Sequence, residues 1–195
     1  MEKFQLVSEY KPSGDQPAAI EALANGVNWG LREQTLLGVT GSGKTEIYIH
    51  LIARTLAQGG DVLYLVPEIA MTSQLLSRVR RVFGERVTPY HSKITNLRRS
   101  EIFHRLGGSE GGELVLGTRS ALFLPLRNLQ LVIVDEEHDS SYKQTEPNPR
   151  YNGRDAAIML AAMSGAKCIL GSATPSLESY ANALSGKYGY ALLTE

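Results

Sequence analysis

The run Gly38-Val39-Thr40-Gly41-Ser42-Gly43-Lys44-Thr45 constrains the fold of this chain more than any other feature. It fits the phosphate-binding loop with Gly, Gly-Lys and Thr at their required spacing, and such a loop works only between a strand and the amino end of a helix. The flanks supply both. Apolar Thr35-Leu36-Leu37 leads in, and Glu46-Ile47-Tyr48-Ile49-His50-Leu51-Ile52-Ala53 continues at helical spacing. A triphosphate is polyanionic, so backbone N–H groups must come close to it, and Gly41 and Gly43 allow conformations and an approach that a side chain would block. Gly41, Ser42, Gly43, Lys44 and Thr45 are therefore the candidate ATP contacts. Lys44 is the point charge for the terminal phosphates, and the Thr45 hydroxyl is one ligand for Mg2+.

A second feature completes the chemistry. The apolar run Leu131-Val132-Ile133-Val134 leads straight into Asp135-Glu136-Glu137-His138. A carboxylate run alone is usually a solvated turn, but at the end of a buried strand it stands where open parallel sheets bind ligands. Asp135 is predicted to hold Mg2+ with Thr45, and Glu136 to act as the base on the attacking water. The two features together predict nucleotide hydrolysis.

Periodicity predicts helices over 16–27, 44–57, 71–83, 96–106, 154–163 and 176–184, and strands over 35–38, 62–66, 87–90, 114–117, 129–134 and 168–171. Continuously apolar strands separated by helices predict an α/β domain, a mainly parallel sheet with helices on both faces. The 195 residues suit one domain over 1–195. Lys+Arg and Asp+Glu both number 20, so any nucleic-acid contact must come from local clusters rather than from net charge. Cys168 is the single cysteine, in an apolar run, which excludes an internal disulfide and suits a reducing cytoplasm. Residues 1–10 lack a signal-peptide core and no apolar run is long enough for a membrane span, so a cytoplasmic protein without membrane contact is expected. The breaker-rich stretch 139–153 beside the acidic strand is too long for simple filler.

Further motifs carry a resemblance. Val66-Pro67-Glu68, Gly117-Thr118-Arg119-Ser120, Asp135-Glu136-Glu137-His138 and Gly171-Ser172-Ala173-Thr174 follow one another as motifs Ia, Ib, II and III do in superfamily 2 helicases. Tyr90-His91-Ser92, Tyr142-Lys143-Gln144, Pro149-Arg150-Tyr151 and Pro175-Ser176-Leu177-Glu178-Ser179 narrow the match, over about 46–195, to the primosomal replication-restart helicases. Residues 1–45, with Tyr10-Lys11-Pro12-Ser13-Gly14-Asp15-Gln16-Pro17, look closer to the UvrB subunit of the nucleotide-excision-repair complex.

The resemblance implies a RecA-like P-loop NTPase domain that couples ATP hydrolysis to translocation on single-stranded or forked DNA. It implies catalytic roles for Lys44, Asp135, Glu136 and His138, with His138 coupled to motif III through Ser172 and Thr174. Gln16 takes the adenine-reading position, where an amide can both donate and accept. DNA contacts fall to Pro67, Thr118 and Arg119, and in the loop after motif II to Tyr142, Lys143, Arg150 and Tyr151, since bases stack on aromatic rings and cations hold phosphates. The implied partners are a second RecA-like domain and other primosome proteins. That second domain, an amino-terminal DNA-binding domain and zinc-binding cysteines have no counterpart in the sequence, which reads as a first motor domain alone. Two other readings stay open: a damage-recognition module that grips DNA with little turnover, and a P-loop kinase or transporter ATPase. The latter would not need Gly171-Ser172-Ala173-Thr174.

Overall fold

A computed structural model describes residues 12–25, 33–38 and 41–193. The chain runs α1 (Gln16–Asn25), β1 (Glu33–Gly38), α2 (Lys44–Ala57), β2 (Asp61–Leu65), α3 (Ser73–Phe83), β3 (Val87–Tyr90), α4 (Asn96–Gly107), β4 (Leu114–Gly117) and β5 (Leu129–Asp135). It continues with β6 (Lys143–Gln144), β7 (Tyr151–Asn152), α5 (Gly153–Ser164), β8 (Lys167–Ser172), α6 (Leu177–Leu184) and β9 (Gly189–Leu193). Seven strands form one sheet in the order β3-β4-β2-β5-β8-β1-β9, and every pairing in it is parallel. Strands β6 and β7 make a separate antiparallel hairpin.

Alternation along the strands divides the core. Val62, Tyr64 and Val66 join the cluster under α1, α2 and α3, while Leu63 and Leu65 join the cluster that packs Ile102, Ala157 and Ala161 from α4 and α5. Apolar residues on both faces are what a sheet covered on both sides requires. The expected α/β class is observed, with three differences. Helix α3 starts at Ser73 because Thr72 caps it, its hydroxyl accepting from Leu75 N at 3.2 Å. The hairpin and β9 were not foreseen. Residues Val39 and Thr40 of the phosphate loop, and the part of the 1–45 resemblance that falls on 1–11 and 26–32, lie outside the described residues.

One buried carboxylate unrelated to the acidic motif ties the amino ends of β2, β4 and β5 together. Asp61 accepts from Glu113 N at 2.9 Å and from Asn128 N at 3.0 Å. Removing it leaves buried backbone donors unmatched, so Asp61→Ala is expected to lose roughly 2–3 kcal/mol of folding stability, measured by urea unfolding.

Candidate functional site

Strand order decides where the motifs meet. Strand β8 lies between β5 and β1, and the register pairs Asp135 with Gly171 and Leu37 with Ser172. The carboxyl ends of all three strands thus open on one edge of the sheet, with the start of α2 above them. Gly41 and Gly43 adopt φ of 90° and 83°, in the left-handed region that glycine tolerates. Gly43 also lies against the Gln16 amide, which a Cβ there would strike. Gln16 donates through Nε2 to Ser42 O at 3.4 Å and accepts from Ser13 N at 3.2 Å, so the predicted adenine reader is anchored beside the loop.

Lys44 Nζ donates to Gly38 O at 2.7 Å and stands 3.8 Å from Glu136 Oε1. Glu136 Oε2 is in turn 3.7 Å from His138 Nδ1. His138 Nδ1 lies 2.7 Å from Ser172 Oγ, and its Nε2 3.4 Å from Thr174 Oγ1. The structure therefore brings Lys44, Glu136, His138, Ser172 and Thr174 into one chain of contacts. Ser42 Oγ is buried without a hydrogen-bond partner, a polar atom aimed into the loop.

Asp135 is held from three sides. Its Oδ1 accepts from Tyr48 OH at 3.0 Å and from Glu136 N at 3.1 Å, its Oδ2 from Tyr64 OH at 3.3 Å, and its carbonyl from Tyr142 OH at 2.8 Å. Burial, and then the Glu136 charge, push its carboxyl up from the usual 3.8 to about 6, against the opposing pull of the Tyr48 hydrogen bond and of Lys44. The same burial keeps the hydroxyls of Tyr48, Tyr64 and Tyr142 protonated well above the ordinary phenol range. Gly171 is needed here because a Cβ would collide with the Tyr48 hydroxyl. Glu136 itself has a φ of 47°, which costs a side-chain-bearing residue roughly 1–2 kcal/mol.

The predicted DNA contacts divide. Lys143 and Arg150 are exposed on the hairpin. Tyr151 is half-buried and packs edge-on against the exposed ring of Phe123, with centroids 5.5 Å apart. Tyr142 is a correction to the sequence reading: its ring is 1% exposed and sits in the core, so it offers no stacking face. Arg119 spends hydrogen bonds inside the protein, Nη1 donating to Ser141 O at 2.8 Å and to Lys143 O at 3.1 Å. Pro67 is buried and closes a turn, its carbonyl accepting from Ala70 N at 2.9 Å. Thr118 Oγ1 is buried and unpartnered, and with Glu68, Ile69, Met71, Ser92 and Lys93 it lines a groove of about 290 Å³. Other basic residues on the helices are engaged locally: Arg78 with Glu46, Arg98 with Glu101, Arg99 with the Ser92 carbonyl.

Sequence reasoning overlooked Tyr48, Tyr64, Phe123, Arg154 and Glu137. The tyrosines carried one usable signal, a polar tip inside an apolar period that must find a partner when buried.

Residues 13–183 match the DEAD/DEAH box helicase family. The replication restart protein PriA of Chlamydia pneumoniae is 51% identical over 154 residues, 78% of this chain and 20% of that protein. PriA of Bacillus subtilis is 43% identical over 186 residues, 95% of this chain and 23% of that protein, so the likeness extends into residues 1–45. The chain spans about a fifth of the length of the curated relatives it matches. Among solved structures, RecG bound to a three-way DNA junction superposes with a TM-score of 0.69 at 22% identity, covering 95% of this chain and 24% of that one. The fold is accordingly that of a RecA-like helicase domain.

The raised Asp135 carboxyl has a measurable sign. A folded-state value of about 6 against the ordinary 3.8 means that its stabilising contribution is complete below about pH 4 and is lost as the pH rises through about 6. Asp135→Asn carries no such penalty. It should be more stable than wild type by up to roughly 3 kcal/mol near neutral pH, and equal to it below about pH 4, in urea titrations at both pH values.

Proposed function

This chain belongs to the DEAD/DEAH box helicase family, and we propose that it is the ATP-binding first motor domain of a superfamily 2 DNA helicase acting in replication restart. Membership of that family implies ATP binding. The observation that carries the rest is the contact chain from Lys44 through Glu136 and His138 to Ser172, which links the phosphate loop to motifs II and III. In this reading Gly41 to Thr45 bind the triphosphate and Gln16 reads the base. Lys44 leaves the Gly38 carbonyl for the terminal phosphates, and Glu136 orients and deprotonates the attacking water.

Mg2+ fits the residues present. Asp135 is a desolvated carboxylate that a cation would relieve, Thr45 is the second residue of α2, and the Ser42 hydroxyl of the preceding loop is buried without a partner. Among the described residues no cluster of three His, Cys, Asp or Glu could hold a metal alone, which suits an ion carried in on phosphates with one carboxylate and one hydroxyl added. Bound there, Mg2+ would neutralise charge on the phosphates. Asp135, kept in place by Tyr48 and Tyr64, would help to hold it.

Single-stranded or forked DNA is the proposed polymer. The exposed Lys143 and Arg150, the Phe123 and Tyr151 ring pair and the groove at Thr118 and Lys93 provide cations and an aromatic face on one set of loops. A second RecA-like domain would close the ATP site and supply the positive charge that phosphoryl transfer needs. Primosome proteins are the proposed further partners, in the cytoplasm. Among the described residues no helix is long and apolar enough to cross a membrane.

Three outcomes test this. Lys44→Ala should weaken ATP binding at least about tenfold by calorimetry, since it removes the cation assigned to the terminal phosphates. Glu136→Gln should leave that affinity nearly unchanged while abolishing hydrolysis in a protein that includes the second motor domain. The 195-residue chain by itself should hydrolyse ATP slowly, with weak stimulation by single-stranded DNA. An arginine finger is worth about 10³ to 10⁵ in rate where one is used. Robust DNA-stimulated turnover by this chain alone, in a steady-state ATPase assay, would defeat the motor-domain reading.

A further inference from the structure

Glu137 follows the proposed base, and its side chain is wholly removed from solvent. A carboxylate in such a place is costly unless its oxygens are fully matched. Here Oε1 accepts from Ser176 N at 2.6 Å, and Oε2 from Ser176 Oγ and Ser179 Oγ, both at 3.1 Å, and from Arg154 Nη1 at 3.2 Å. Every one of these groups donates. Ser176 caps α6, directly beyond motif III, and Arg154 is the second residue of α5, directly beyond β7. The Arg154 guanidinium is engaged beyond Glu137, with Nη1 also on Ser176 Oγ at 2.7 Å and Nε on Asp155 at 2.8 Å.

Glu137 thus fastens three starting points together: the exit of β5, the first turn of α6, and the first turn of the helix that the hairpin leads into. Its own N–H donates to Gly171 O at 3.0 Å. The left-handed Glu136 therefore lies between two immobilised neighbours, Asp135 on the tyrosines and Glu137 on this network. A shift of the hairpin moves Asn152 and Arg154 with it, and the Glu137 carboxylate links Arg154 to the residue after Glu136; a second link starts from Tyr142, whose N–H donates to Asp139 O at 3.2 Å while Asp139 N–H donates to Glu136 O at 2.8 Å.

We propose that Glu137 and Arg154 are positioning residues that transmit displacement of the 143–152 hairpin to the backbone of Glu136. The proposal rests on the reading above that this hairpin meets single-stranded DNA. Neither side chain touches the nucleotide or the reacting atoms. Arg154 matters for its fork, in which Nη1 holds Glu137 and Ser176 while Nε holds Asp155, a two-nitrogen grip that a single lysine ammonium cannot copy.

Hydrogen–deuterium exchange on the 195-residue chain, with and without an oligothymidylate, tests the route. In wild type the DNA is expected to slow exchange in the hairpin and to change it at 134–138 by at least about threefold. Arg154→Met should keep the hairpin response and lose the response at 134–138, and Glu137→Gln, which sets an NH2 group among donors, should do the same. Arg154→Lys should recover part of the response. It also serves if the Met variant fails to fold, because a full wild-type response in the Lys variant overturns the role of the fork. Ser179→Ala removes one donor to the same carboxylate without touching Arg154, and should lower thermal stability while leaving the response at 134–138 in place. A response at 134–138 that persists in Arg154→Met, or one lost equally in Ser179→Ala, overturns the route alone. A hairpin silent to DNA in wild type overturns the DNA reading and the route with it.

Discussion

Asp135 stands where β5 leaves the sheet, and water is scarce enough there to push its carboxyl up to about 6. The residues around it are arranged to make that position tolerable. Tyr48 comes from α2, Tyr64 from β2 and Tyr142 from the segment after motif II, and all three direct hydroxyls at this one residue. Tyr48 and Tyr64 also meet edge-on with centroids 5.5 Å apart, so each fixes the other's ring. Gly171 can only be glycine because Tyr48 must pass it. Holding this one residue, by its carboxylate and by its carbonyl, thus constrains four separate elements, and a site that holds a charge at such cost is typical of one selected for chemistry rather than for stability.

The segment after motif II is built as an anchored arm rather than a free loop. Its near end is nailed down by Tyr142 in the core and by Arg119 on the carbonyls of Ser141 and Lys143. Its far end passes into α5 through Asn152, whose side chain caps the helix by accepting from Arg154 N at 3.0 Å. Between these anchors the hairpin carries its cations outward, and Tyr151 rests on Phe123 from the motif Ib segment. Arg119 and Tyr142 therefore serve this arm as supports, while Lys143, Arg150 and Phe123 are exposed and Tyr151 is half-buried against Phe123.

The phosphate loop, the acidic strand end and the α/β order were legible because each depends on residues close together in sequence: a loop of fixed spacing, an apolar run, a helical period. The tyrosine clamp was not, since Tyr48 lies 87 residues from Asp135 and Tyr64 lies 71, and a tyrosine inside an apolar period reads as plain core. Tyr142 failed in the opposite direction. In a stretch rich in breakers and polar residues nothing periodic tells which face a ring takes, so an aromatic beside a lysine read as a stacking surface when it was a core residue. Glu137 was hidden for a related reason, because in a run of three acidic residues only the fold distinguishes the one turned inward. Strand β9 lay beyond the last helix in five residues too few to show a period.

Lys44 illustrates how the two halves of the site depend on each other. Its ammonium is buried, so it must be matched at every moment, and the Gly38 carbonyl at 2.7 Å with the Glu136 carboxylate at 3.8 Å provide the match. Both are weaker partners for a cation than a triphosphate would be. On its other side the Glu136 carboxylate stands 3.7 Å from His138 Nδ1, which leads on to motif III. Glu136, at a φ of 47° between two pinned residues, is where the halves meet: its carboxylate spans from Lys44 on one side to His138 on the other.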